Sequence, residues 1–185
     1  MSDKSKYFSK ARETPEAISD TIDPAMLGYA GAGLLALVFA LAVIWIVLRP
    51  KPRPKIAVDG SNVLYWENNV PSLGTVREVL ARLSHAGYDP YIWFDANVGY
   101  LVSDRYLNER ALGKMLRFPA GRIQIADKGT PADPLILAYA SRAKVRVVTN
   151  DRFRDWTQEY AQFQDQRLFV RGSVKNGRAY FNFKK

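Results

Sequence analysis

The chain has 185 residues, 27 Lys/Arg against 18 Asp/Glu, a net charge of +9, one histidine and no cysteine. Disulfides, zinc ribbons, thiol nucleophiles and iron–sulfur ligation are excluded, and histidine metal clusters and Ser-His-Asp triads lack material. The basic excess favours a polyanionic partner.

Residues 1–25 form a polar tail with four basic and five acidic side chains. Residues 26–48 carry no charge and, as a helix, would reach roughly 35 Å at 1.5 Å per residue. That is enough for a bilayer core of about 30 Å, so the segment reads as one transmembrane helix. A cleaved signal peptide is the competing reading. It is disfavoured because the leader is long and acid-rich, and because Arg-Pro-Lys-Pro-Arg-Pro-Lys stands where small residues should mark a cleavage site. Gly28 and Ala32, one turn apart, would let two such helices pack as a homodimer. Arg49, Lys51, Arg53 and Lys55 crowd one flank, which places the carboxy-terminal domain in the cytoplasm of a single-pass membrane protein. Residues 49–55, with Pro50, Pro52 and Pro54, form a stiff basic linker whose charges can touch anionic lipid headgroups.

Residues 56–185 suit one domain and carry nineteen basic against thirteen acidic groups, most of the basic ones arginine. Apolar runs of strand length alternate with stretches of helical period. Strands are expected at 56–59, 91–94, 123–126 and 145–149. Helices are expected at 75–86, 104–117 and 134–143, with a helical turn through Asp155 and Trp156. His85 falls at the end of the first helix, a surface position. Four strand–helix alternations give an α/β fold with a mostly parallel central sheet flanked by helices. Segments 167–174 and 178–183, joined through Asn176-Gly177, form a closing hairpin because Asn-Gly supplies the positive φ angles of a tight primed turn.

Acids mark the ends of three of these strands: Asp59 after the first, Asp133 after the third and Asp151 after the fourth, with Asp155 one turn on; Asp95, ending the second, is either a further site residue or a strand-end turn. Each alone has a plain reading. Asp59-Gly60 is a turn, Asp133-Pro134 is an N-cap followed by proline at the first helical position, Asp151 is a cap, and Asp155 is a surface partner for a basic neighbour. Jointly they gather where parallel sheets collect ligands, and converging carboxylates repel unless a cation such as Mg²⁺ or Mn²⁺ joins them. No Gly-x-Gly-x-x-Gly or Gly-x-x-x-x-Gly-Lys-[Ser/Thr] is present, so no nucleotide cofactor is expected.

Val-Asp59-Gly-Ser-Asn62-Val, Asp133 before Ile-Leu-Ala-Tyr-Ala, and Thr-Asn150-Asp151-Arg-Phe-Arg154-Asp155 together resemble the NYN branch of the PIN-like ribonucleases, of the Regnase type. The resemblance runs from about Lys55 to Phe183. It implies a Rossmann-like PIN/NYN fold and Mg²⁺-dependent endonucleolytic hydrolysis of single-stranded or looped RNA. Asp59, Asp133, Asp151 and Asp155 fall on its acidic positions and Asn62 on its polar companion. Two departures stand out: Ala132-Asp133 replaces paired acids, and the Cys/His zinc finger of animal relatives is missing.

In this reading Asp59, Asp133 and Asp151 hold the metal, Asp155 acts outside them or as base, and Asn62 orients water or a phosphate oxygen. Arg122, Lys128, Arg152 and Arg154 are candidate RNA-backbone contacts, and Tyr65, Trp66 and Trp93 candidate base-stacking groups, Trp93 being also a core candidate. The rival reading is a membrane-tethered RNA-binding module that lost activity with the missing acid. A third is an acid-cluster phosphatase for small substrates.

Overall fold

In a computed structural model, residues 24–49, 51–156 and 158–183 are described, with side chains of the first segment described from Leu35 onward. Contacts divide the chain into two units, Met1–Lys51 and Pro52–Lys185. In the first, helix α1 (Pro24–Leu48) runs for 25 residues with no acid in its first turn and no base in its last. Its described side chains are exposed. Across the described residues no helix is long and apolar enough to cross a membrane. The part of α1 with described side chains covers only about 21 Å at 1.5 Å per residue. The packing surroundings of Gly28 and Ala32, and the polar tail up to residue 23, lie outside what is described.

The second unit is built on six strands: β1 (Lys55–Asp59), β2 (Asp89–Phe94), β3 (Ile123–Ile125), β4 (Val147–Val148), β5 (Phe169–Lys175) and β6 (Arg178–Asn182). They lie in the order β3-β2-β1-β4-β5-β6, all neighbours parallel except β5 and β6. Strand alternation sends Ile56, Val58, Ile92 and Phe94 into one core and Ala57 and Trp93 into another. Helices α3 (Leu73–His85) and α5 (Glu109–Leu116) cover the first core, and α6 (Ala132–Ala143) the second. Burial on both faces explains why β1 reads as an unbroken apolar run. The expected hairpin forms, with Asn176 at φ 50° and Gly177 at φ 67°.

Three expectations are corrected. The helix expected over 104–117 forms only as α5, from Glu109 with Asn108 as its cap accepting the Ala111 N–H at 2.9 Å; before it, Asp104 (φ 52°) ends a separate helix that was not expected, α4 (Val98–Ser103), and a turn follows. Packing overrides propensity here: Gly99 sits so close to the Arg105 carbonyl and the Leu107 amide that a Cβ would lie 2.6 Å from that nitrogen. The helix expected at 134–143 begins at Ala132, so Asp133 stands in its first turn rather than capping it. The Asp95 carboxylate takes over, accepting the Ala132 N–H at 2.9 Å. Strand β4 is also shorter than 145–149, because the Val145 N–H closes α6 on Ala140 while the Thr149 hydroxyl turns to Asp59.

Candidate active site

Strand order reverses between β1 and β4: from β1 the chain moves on to β2 and β3, and from β4 to β5. Ligands of open α/β sheets bind beyond the carboxyl ends of the strands at such a switch point. Asp59 ends β1 there and is 3% exposed. The next residue opens the short helix α2 (Gly60–Val63) and must be glycine, since a Cβ would sit 2.6 Å from the Trp93 carbonyl oxygen. Asp59 Oδ1 accepts the Asn62 N–H at 3.0 Å and Oδ2 accepts the Thr149 hydroxyl at 2.8 Å. Burial nevertheless pushes its carboxyl up to about 7, and the charges of Asp133 and Asp151 push the same way, outweighing the two hydrogen bonds.

Beyond β4 the chain reads Thr149-Asn150-Asp151. Thr149 Oγ1 also accepts the Asp151 N–H at 3.0 Å, so one buried hydroxyl joins both acids. Asp151 Oδ1 accepts the Phe153 N–H at 2.7 Å, and Phe153, buried with φ 48°, pins the loop against Phe169. Asn62 Oδ1 accepts the Trp66 indole N–H at 2.8 Å and the Asn150 N–H at 2.9 Å. Its oxygen is therefore engaged by protein donors, and Asn62 ties the β1 and β4 ends together. Asn150 in turn exchanges two hydrogen bonds with the Gly172 backbone, at 2.8 and 3.2 Å. Arg171 donates to the carbonyls of Thr149, at 3.1 Å, and Asp151.

Asp133, half-buried in the first turn of α6, completes the group. Burial, then Asp151 and Asp95, raise its carboxyl to about 6. A hydrogen bond with Trp156 opposes the rise, and Asp155 adds to it. Asp59, Asp133 and Asp151 are thus within one another's electrostatic reach, with Asp95 and Asp155 acting on Asp133. Among the described residues, no three His, Cys, Asp or Glu side chains stand together as a preformed metal cage. The donor chemistry still suits a hard divalent cation: two carboxyls held up by burial and mutual repulsion would both be relieved by positive charge.

Arg152 and Arg154 are exposed on the loop after Asp151, and Lys128 is exposed after β3. Arg122 precedes β3 at the opposite rim of the sheet, ion-paired to Asp89 at 2.6 Å. Trp66 and Trp93 are buried, Trp66 against Gly172 and Trp93 bonded through its indole N–H to Gln124 at 2.9 Å. Neither tryptophan is a free stacking face, and Tyr65 is partly buried against the first core. Sequence reading missed Thr149, Asn150 and Arg171. A hydroxyl and an amide directly after an apolar strand were a usable signal for the first two, whereas the role of Arg171 exists only once β5 pairs with β4.

The sequence profile of the Zc3h12a-like Ribonuclease NYN domain matches residues 52–172. The chain belongs to that family. Its fold is also that of two solved structures of a protein from A. thaliana, nuclear proteinaceous RNase P 2 (PRORP2). One has a TM-score of 0.54 at 19% identity, the other 0.53 at 18%, each over 86% of this chain. The chain spans only 36% and 37% of those chains. No curated protein sequence matches it significantly. The NYN chain is thereby an α/β protein with a mixed six-stranded sheet flanked by helices, from a ribonuclease domain family.

Proposed function

We propose that the protein is a membrane-anchored endoribonuclease that hydrolyses RNA phosphodiester bonds with the help of Mg²⁺ or Mn²⁺ at Asp59, Asp133 and Asp151. The observation that carries this is the buried Asp59 carboxyl facing the charges of Asp133 and Asp151 at the β1/β4 switch point. The cation, once bound, supplies a water of lowered pKa and charge to offset that of the phosphate. The protein's own part is to hold the ligands. Thr149 fixes both Asp59 and Asp151, Asn62 locks α2 to Asn150, and Arg171 holds the loop by its carbonyls. Asp155 sits at the outer edge of the group, where it can take a proton from water entering from solvent. Arg152, Arg154 and Lys128, exposed on the same rim, are suited to the RNA backbone.

A cut-down, inactive RNA-binding module is the rival, since Ala132 stands where the family resemblance expects an acid. Asp95 speaks against it, for its carboxylate bonds the Ala132 N–H and its charge reaches Asp133. Anchorage rests on the uncharged run 26–48 and on Arg49, whose guanidinium lies 3.6 Å from the Trp45 ring centre, a pairing suited to a headgroup interface. The basic flank argues for a cytoplasmic domain, and the Gly28–Ala32 spacing for pairing of two copies in the bilayer.

The test is to incubate the full chain, in detergent, with circular single-stranded RNA, with Mg²⁺ or with EDTA. Linear products in Mg²⁺ alone are expected. RNA that is retained but uncut in every divalent metal would leave only the binding module.

A further inference from the structure

Next to the acid group, on its β2–β3 side, lies a cavity of about 500 Å³ whose walls include Asn97, Tyr100, Tyr106, Glu109, Asp127 and Lys128. Its place follows from the sheet. Asn97 comes just after β2 and Asp127 and Lys128 just after β3, so the cavity opens on the same carboxyl rim as Asp59. It lies one or two strand spacings away, roughly 5–10 Å at about 4.8 Å per strand.

Two tyrosines in its wall are exposed, Tyr100 by 58% and Tyr106 by 67%, while their neighbours Gly99 and Leu107 are buried. The backbone enforces this. The close approach of Gly99 to Arg105 and Leu107 fastens α4 onto the turn, and the reversal at Asp104 brings residue 106 back beside residue 100. Leu107 turns into the core and Tyr106 therefore faces out. An aromatic ring left in water on a fixed backbone is an unused binding face, because it gains by covering and loses little side-chain entropy. The polar lining is mixed: Glu109 and Asp127 accept hydrogen bonds, Lys128 donates, and Asn97 does both. That combination fits a flat aromatic ligand with donors and acceptors on its edge and a phosphate attached, and the volume falls within the range of ligand pockets.

We propose that this cavity is a base-binding subsite that takes one unpaired base of a single-stranded RNA against Tyr100 and Tyr106, with Lys128 on an adjoining phosphate. Bases stack on aromatic side chains only when they are out of a duplex, so the subsite restricts the protein to unpaired RNA. The inference rests on RNA being the ligand of the acid site, as proposed above. The experiment below therefore reads binding, not cleavage.

Full chain carrying Asp59→Asn, in detergent with Mg²⁺, is titrated with a single-stranded oligoribonucleotide holding one 2-aminopurine, and with the same RNA as a duplex. Quenching of the fluorescent base is expected on binding. Tyr100→Ala with Tyr106→Ala should abolish the quench and weaken single-strand binding about five- to hundredfold, the loss of stacking on one base. Tyr100→Phe with Tyr106→Phe should keep both, and the duplex Kd should not respond to either pair. Unchanged quench and Kd in the alanine pair would overturn the proposal. If the wild-type chain cuts no RNA yet the tyrosine dependence holds, the subsite stands and the nuclease reading falls.

Discussion

The carboxyl end of β1 and the loop leaving β4 both present an aspartate to the same space, on opposite terms. Asp59 is 3% exposed, with each oxygen held by a protein donor, and its carboxyl sits near 7. Asp151 is exposed, its side chain engaged with its own loop through Phe153. One half of the site is set by the core and disfavours negative charge; the other is set by a turn and faces water. Under the proposed function, a buried carboxyl held by a hydroxyl and an amide would ionise when a cation arrives, and the exposed side would leave a way in for cation and RNA. Thr149 joins the halves.

The largest effect should come from breaking the buried half. Asp59→Asn keeps the size and one acceptor but removes the charge, and should lower RNA cleavage by at least about a hundredfold with the fold intact by circular dichroism. A wild-type rate in this variant would remove Asp59 from the chemistry. Thr149→Val severs the link at nearly constant volume and should cost about ten- to a hundredfold in rate, with about 1–3 kcal/mol of stability lost in urea unfolding.

The same contrast shows in the response to pH. An unfolded chain releases the Asp59 proton near 3.8 and the folded one near 7, so between these values the unfolded state binds fewer protons. Without divalent metal, stability should therefore fall as pH rises from 4 to 7, Asp59 contributing at most about 4 kcal/mol and Asp133, raised to about 6, acting in the same direction. The decline should flatten in Asp59→Asn and with added Mg²⁺. A metal-free wild type that gains stability over that window would contradict the buried-acid picture. On the exposed side, Arg152→Ala should do least. It should weaken RNA binding a few-fold regardless of sequence and lower the salt slope by about one.

Much of the molecule was legible in advance because burial on both faces of a parallel sheet writes strands as apolar runs, and the acids that stop those runs mark the rim. Asn176-Gly177 announced its hairpin by backbone chemistry alone. What failed had a common cause in contacts between distant segments. Gly99 against Arg105 and Leu107 holds residues 104–108 in a turn where a helix was expected to start, and Asp95 displaced Asp133 as the partner of the α6 amino terminus. Asn62 also serves as a strut between the strand ends, a part not foreseen, because its oxygen accepts from a backbone amide 88 residues away as well as from Trp66. Nothing in a local window reports such partners.

The central claim is that Asp59, Asp133 and Asp151 share one cation. Titration of the full chain with Mn²⁺, read by the loss of its free electron paramagnetic resonance signal, tests it most directly. One bound Mn²⁺, displaced by Mg²⁺, is expected, with affinity reduced at least about tenfold in each of Asp59→Asn, Asp133→Asn and Asp151→Asn. Equal Mn²⁺ binding in the wild type and all three variants would contradict it.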